Sequence, residues 1–510
     1  MTLRSLILSA ALAGLASACG ATASMTIDQA AQQAPNSPAD GLRNAPLGQE
    51  AALADLALAR QTLESLHPGY SRYTAKPALD DAWREAELAV AAEPTFATLY
   101  REISRVSAQI RCDHTKAELP EAFEAARDKS PIYLPFRFKV FDEAIYVVDP
   151  GTTPGLTRGD RIISIDGTPA EAALAAVYAL FPVDGDTDHI KPASVSDFGE
   201  FIGPAFEHFY PFLFDISPTA ELQVDGAGGK VFAVTADRLS FEAYRAMTGE
   251  ARFSANFVDA IRFEPIGETA AYLAVDTFIN YRRPVEPDSV YGPVFERLAA
   301  EGRDRLILDL RRNGGGSTDA QVALLQWLMP GPFRQADAVL VRTLTVADDV
   351  RPHLSSWNEA ALNPDPSWFS EREDGFFEII APFAGKPPAS IAAKPAAFTG
   401  ELVVLTGPDN ASGVTHLLAV LEANDRATFV GAPTGGAATG ATAGVLAMLT
   451  LPASGIKVRV PLQRTVIANA SALDPRGGIT PDVLAPATLA STLEGTDPAM
   501  AAALRLLSLD

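Results

Sequence analysis

Apolar and polar positions along this chain change period twice. From Glu50 to about Glu124 the apolar residues fall at helical spacing. Leu53, Leu56, Leu63 and Leu66 form one stripe that stops at His67-Pro68-Gly69, and two more helices are predicted over roughly 78–92 and from about Phe96 to Ile110. Over 131–180 the period shortens to two. RFKVF and AIYVV alternate as strands, with Asp142-Glu143 as the turn between them. GLTRGDRIISIDGTPAEAAL then reads as a turn, a strand, an Asp-Gly turn and a helix, and ELQVDGAGGKVFAVT reads as a hairpin.

From about residue 262 short apolar strands alternate with amphipathic helices. The strands are AAYLAVDTF, RLILDL, ELVVLT and ATFVGA. One helix carries Val322, Leu325, Leu328 and Met329, and the other carries Val414, Leu417, Leu418 and Leu421. That alternation predicts an α/β fold whose core is a largely parallel sheet covered by helices. The Pro- and aromatic-bearing stretch 345–398 reads as a long excursion over the face that would hold an active site.

Composition adds exclusions. The 510 residues are 47% apolar and 20% charged, ordinary for a globular chain of two or three domains. A net charge of −22 argues against nucleic acid or an anionic membrane surface as a partner. Residues 1–23 read as a signal peptide, with Arg4 as a basic start, an apolar run from Leu6 to Ala18, and small residues before Cys19. The small residues before Cys19 resemble a bacterial lipobox, so Cys19 is the expected lipidation site and export to the periplasm or cell envelope the expected fate; the plainer reading is ordinary signal-peptidase cleavage after Ala16-Ser17-Ala18. Residues 24–46 read as a linker. Cys112 is the one cysteine after Cys19, which excludes an internal disulfide in the mature chain and structural zinc held by several cysteines. No cofactor and no metal are implied.

Candidate chemistry sits at two strand-to-helix turns. RLILDLRRNGGGSTDA places Gly314, Gly315 and Gly316 after one strand, and ELVVLTGPDNASGVTHLL places Ser412 and Gly413 after another. Bare glycine amides at such a turn can face an oxyanion, and a serine at a helix start can point its hydroxyl into the crevice above the sheet. The plainer readings are a tight turn for the glycines and a helix N-cap for Ser412.

DLRRNGGGS, VGAPTGG, LPASGIKV, GGITPDV, the YLAVDTF strand, GLTRGDRIISIDG and the HPGY…DHT region occur together and in order. As a set they resemble the tail-specific, or C-terminal processing, family of serine peptidases. The resemblance implies a crotonase-like core, Ser412 as nucleophile, and Gly413 with Gly315 or Gly316 as oxyanion donors. The lysine that many members use as base falls at Ala437 here. The resemblance therefore points to the histidine-using, tricorn-like branch, with His114 of RCDHT as base. That branch places its acid at a position counted as Pro475, and neighbouring Asp474 is the candidate. Asp113 is a second candidate acid. His416, one helical turn after Ser412, is a rival base. GLTRGDRIISIDG resembles the carboxylate loop and strand of a PDZ domain, which implies peptide binding at Gly155 and Leu156.

The expected organisation is a mixed multi-domain α/β protein. A helical region spans 47–125, a PDZ-like module 126–190, a connecting region with a hairpin 191–255, the peptidase core 256–490, and a C-terminal helix 491–510. The expected function is an exported serine peptidase acting on peptides or unfolded proteins, with membrane contact only through the lipid. The alternative is an inactive peptide-binding envelope lipoprotein on the same fold.

Overall fold

The computed structural model describes residues 38–196, 204–249 and 256–509. The leader, Cys19 and most of the linker lie outside the described residues. Among the described residues, no helix is long and apolar enough to cross a membrane.

Three helices form the N-terminal layer: α1 (Gln49–Leu66), α2 (Lys76–Ala92) and α3 (Phe96–Ile110). α1 buries Ala52, Leu56, Ala59 and Leu63, one stripe at helical spacing. Trp83 of α2 and Phe96, Tyr100 and Ile103 of α3 share its core and have no solvent exposure. Arg111 turns left-handed (φ 61°) and ends α3. The chain then runs out to a two-residue strand, β1 (Ala117–Glu118).

The middle of the chain supplies β2 (Arg137–Phe141), β3 (Ala144–Asp149), β4 (Arg161–Ile165) and β5 (Thr168–Pro169). Helices α4 (Ala170–Tyr178) and α5 (Ala205–Leu213) follow, then the hairpin β6 (Thr219–Asp225) and β7 (Val231–Asp237). The sheet runs β2-β3-β4-β6-β7, with β5 folded back on β4.

The remainder is an α/β core with a second sheet laid against the N-terminal layer. Core elements are β8 (Ile261–Ile266), β9 (Ala270–Val275), α6 (Asp288–Ala300), β10 (Arg305–Asp309) and α7 (Thr318–Leu328). After these come β11 (Ala336–Val341), β12 (Leu354–Ser356), β13 (Phe369–Glu371) and β14 (Phe377–Ile379). Then follow β15 (Glu401–Thr406), α8 (Ser412–Glu422), β16 (Thr428–Gly431), β17 (Thr442–Thr450), β18 (Lys457–Ile467), β19 (Val483–Leu484) and α9 (Pro498–Leu506). The core sheet runs β19-β16-β15-β10-β9-β8. It is parallel from β9 through β19, with antiparallel β8 at its edge, as the strand-helix alternation predicts. Leu306, Ile307 and Leu308 on β10 are all fully buried, which is why that strand is apolar on both faces. Each such burial contributes about 1.5–3 kcal/mol.

The second sheet runs β12-β17-β18-β11-β14-β13, with β1 added on β18. The stretch 345–398 is therefore not a structureless excursion. It gives β12 to β17, and β13 and β14 to the β11 edge. Three-residue strands are too short to show a period of two, so the sequence reads as loop. Buried Asp55 of α1 accepts hydrogen bonds from Ala453 N (3.1 Å), Ser454 N (2.8 Å) and Ser454 Oγ (2.7 Å), which ties the helices to the β17–β18 turn.

Candidate active site

In a parallel sheet ligands bind beyond the carboxyl ends of the strands. At that end of β10 and β15 the two turns singled out in the sequence stand side by side. Asn410, fully buried, joins them. Its Nδ2 donates to Leu310 O (2.6 Å) and Asn313 O (3.1 Å), and its Oδ1 accepts from Gly407 N (2.9 Å). Asn313, also fully buried, donates to Val275 O (3.0 Å) and accepts from Gly315 N (2.8 Å). The two asparagines fix both turns to the sheet. The sequence marks them only as turn formers.

Ser412 is the first residue of α8 and sits in the left-handed region, φ 54°. That conformation costs a non-glycine residue about 1–2 kcal/mol. The N-cap position belongs to Ala411, and no side chain caps it. Instead of capping, Ser412 Oγ lies 3.2 Å from His114 Nε2. His114 does not cap α3, whose C-cap is Arg111. It projects from a turn closed by Thr115 N to Cys112 O (3.0 Å), just before β1 pairs with β18 at Ala117–Val458.

The glycines divide. Gly315 (φ 103°) sits so close to the serine that a Cβ there would lie 2.9 Å from Ser412 Cβ and 2.8 Å from Gly413 N. Its own N–H is taken by Asn313, so Gly315 shapes the turn and is not an oxyanion donor. Among the described residues, Gly316 N–H and Gly413 N–H make no hydrogen bond to the protein. A Cβ on Gly413 would come 3.5 Å from Gly316 N, so the two amides adjoin.

Asp474 is not brought to the base. It is exposed, and its Oδ1 accepts from Arg476 N (2.9 Å) within its own turn. Asp113 pairs with Lys116 (3.1 Å). The carboxylate that does approach is Asp184, which the sequence reading missed. A ring nitrogen of His114, a carboxylate oxygen of Asp184 and the Cys112 sulfur all lie within 4.8 Å of one another. His114 Nδ1 and Asp184 Oδ2 are both buried, and neither makes a hydrogen bond, to each other or to any other described residue. Asp184 Oδ1 accepts from Asp113 N (2.8 Å). Its carbonyl accepts from Thr187 Oγ1 (2.7 Å), and Gly185 N donates to Arg111 O (3.0 Å). Burial raises the Asp184 pKa, against the charge of His114 and the amides of Asp113 and Ala437. Ala437, where the lysine branch carries its base, thus presents only its backbone here. In the sequence Asp184 sits in FPVDGDTDHI, an acidic Asp-Gly stretch that reads as a loop with no spacing toward His114.

His416 and His67 are occupied. His416 Nε2 accepts from Ala441 N (3.2 Å), and burial followed by the charge of His114 lowers its pKa to about 4. His416 is not a base for Ser412 in this arrangement. His67 Nδ1 accepts from Gly69 N (3.0 Å) and its Nε2 meets Thr115 Oγ1 (2.8 Å), buttressing the residue after His114. Burial lowers the His67 pKa to about 3, so it stays neutral. Cys112 donates to Thr442 O (3.4 Å), and burial raises its pKa to about 12.

Gly155 and Leu156 lead into β4, which is paired with β3 and β5 on one side and β6 on the other. A peptide cannot add to that strand. The open edges of this sheet belong to β2 and β7. Leu156 is buried rather than presented to a ligand.

Residues 269–485 match the profile of peptidase family S41. No curated protein matches the sequence. The fold is similar to that of mature CPAF complexed with lactacystin, at 15% identity and a TM-score of 0.59, over 90% of this chain and 97% of that one. Mature CPAF on its own gives 16% identity and a TM-score of 0.59, over 88% and 95% of the two chains.

Proposed function

We propose that this chain, whose residues 269–485 match peptidase family S41, is a serine peptidase working through an acyl-enzyme on Ser412. The 3.2 Å contact between His114 Nε2 and Ser412 Oγ carries the reading. His114 takes the hydroxyl proton as Ser412 attacks the peptide carbonyl, and later gives it to the leaving amine. Gly316 N–H and Gly413 N–H hold the oxyanion. Asp184, within 4.8 Å of His114 and not hydrogen-bonded to the ring in this structure, closes on Nδ1–H as the site engages substrate and so keeps Nε2 free to accept. The substrate class is peptides or unfolded protein, and the β2 or β7 edge of the middle sheet, which the PDZ-like module shares with the hairpin after it, is the place to recruit an extended segment. The core is crotonase-like in this reading. The chain is exported and held to the membrane by lipid on Cys19, so Cys19→Ser moves it from the membrane fraction to the soluble one. Retention of the variant in the membrane would refute the anchor.

The inactive-binder reading draws on Ala437 in place of the lysine. The Ser412–His114 contact speaks against it, because a binder has no need to aim a base at a strained serine. Digestion of an unbiased peptide mixture, read by mass spectrometry beside Ser412→Ala, tests the choice. Cleavage that vanishes in the variant supports the peptidase. Intact peptides with a folded wild-type protein would favour the binder.

A further inference from the structure

The Cys112–His114–Asp184 cluster has chemistry that peptide hydrolysis does not use. We infer that Cys112, His114 and Asp184 form a site for a zinc-class divalent cation that switches the peptidase off. The inhibitory part of this rests on the serine peptidase reading, and the binding part does not.

Sulfur, imidazole nitrogen and carboxylate oxygen are a ligand set suited to zinc and its neighbours, not to calcium or magnesium. One ligand atom from each residue lies within 4.8 Å of the others. Ligands at 2.0–2.3 Å around a tetrahedral zinc stand roughly 3.3–3.8 Å apart, so the set closes on an ion with movements of about an ångström. Two of the donors are poised for it. His114 Nδ1 and Asp184 Oδ2 are buried and make no hydrogen bond to each other or to any other described residue, and Asp184 as a whole is 2% exposed. The third, the Cys112 sulfur, donates to Thr442 O (3.4 Å), a bond the ion replaces, while the Thr115 hydroxyl and the His114 amide beside it can go on donating to a metal-bound sulfur. Half-buried His114 and Ser412 open the route from the cleft. Three protein ligands leave the fourth position to water.

Inhibition follows from the tautomer. A metal on Nδ1 takes the lone pair there, so the neutral ring must carry its proton on Nε2. That N–H then faces Ser412 Oγ at 3.2 Å and cannot receive the serine proton. The ion also displaces the Cys112 proton to solvent as the sulfur–metal bond forms. No oxidation state changes.

The test uses the purified protein with Co²⁺ and with Zn²⁺. One equivalent of Co²⁺ should produce a near-ultraviolet thiolate-to-cobalt absorption that is missing in Cys112→Ala and Cys112→Ser. Zn²⁺ should slow peptide cleavage, a chelator should restore it, and each variant, compared with its own metal-free rate, should need at least about tenfold more Zn²⁺, the loss that even an outer-shell ligand change causes. A folded protein without the cobalt band overturns the site. A band without inhibition, or equal zinc sensitivity in the variants, overturns the switch. Absence of any peptidase activity would refute the catalytic reading, and the cobalt arm would still decide whether the metal binds.

Discussion

Replacing Asp184 should harm the enzyme in an order opposite to chemical conservatism. Asn is the closest mimic of Asp in shape, yet Asp184→Asn is expected to be worse than Asp184→Ala. Oδ1 of Asp184 already accepts from Asp113 N at 2.8 Å, so in the variant that position selects the amide oxygen. The amide NH₂ is then turned toward His114 Nδ1, which has no other partner among the described residues. The ring must accept at Nδ1 and carry its proton on Nε2, facing Ser412 Oγ 3.2 Å away. A base in the wrong tautomer costs about 10⁴ in kcat in serine peptidases, or about 5 kcal/mol at 1.36 kcal/mol per decade. Asp184→Ala leaves Nδ1 free, so the productive tautomer stays accessible and the loss should be smaller, about 10²–10³. It leaves the Asp113 amide unpaired, at about 1–3 kcal/mol of stability. The assay is kcat and KM on one fluorogenic peptide for both variants, with Asp474→Asn as control and a thermal melt for each. Asp474→Asn should stay within about twofold of wild type, since that carboxylate serves only its own turn. Asn equal to or better than Ala, or both within fivefold of wild type, would refute the assignment of Asp184.

Three further outcomes follow from other positions. Gly315→Ala should lose at least about 100-fold in kcat/KM, because φ 103° is strained for alanine and its Cβ would press on Ser412 Cβ; unchanged turnover would show that the turn is not a positioning element. Asp55→Ala should lower stability by about 3–5 kcal/mol by urea denaturation, since a buried acceptor of three hydrogen bonds is removed, and a loss under 1 kcal/mol would contradict its anchoring role. Glu207 has its pKa raised from 4.5 to about 7, by burial first, against its own and the Leu134 amide, Arg238 and Arg127. Its native-state pKa lies above the unfolded one, so the native state holds the proton longer and stability falls as pH rises from about 4.5 through 7. The gap is worth about 3 kcal/mol at 1.36 kcal/mol per unit. Glu207→Gln should therefore gain on wild type by up to about that amount between pH 4.5 and pH 8, and a pH-independent difference would refute the reasoning.

The core sheet and the Ser412 turn were legible because each depends on a short local pattern. An apolar strand, a Gly- or Asn-rich turn and an amphipathic helix lie within about 30 residues of one another in both cases. His114 was reachable only through the resemblance, since nothing local in RCDHT speaks of a serine 298 residues away. Asp184 escaped because its role depends on three-dimensional closure. Gly185 bonds to Arg111 and Thr187 to Gly435, contacts across long stretches of chain that no spacing encodes. Gly315 was read as a donor because sequence cannot show that Asn313 occupies its N–H. Gly155 and Leu156 failed for a topological reason. The strand they precede is recognisable, but which neighbours it acquires depends on a hairpin some 60 residues later.

The seating of His114 against β18 bears on the life of the chain before it is finished. During synthesis the histidine emerges first, the serine some three hundred residues later, and the strand that carries β1 last, at Lys457–Ile467. Until that strand is made, the turn bearing His114 has no platform, and a nascent chain holding both residues still lacks an armed pair. A chain stopped before residue 457 lacks the strand on which β1 pairs. On the peptidase reading, the Ser412–His114 pair can form only once β18 has been made, after both of its members.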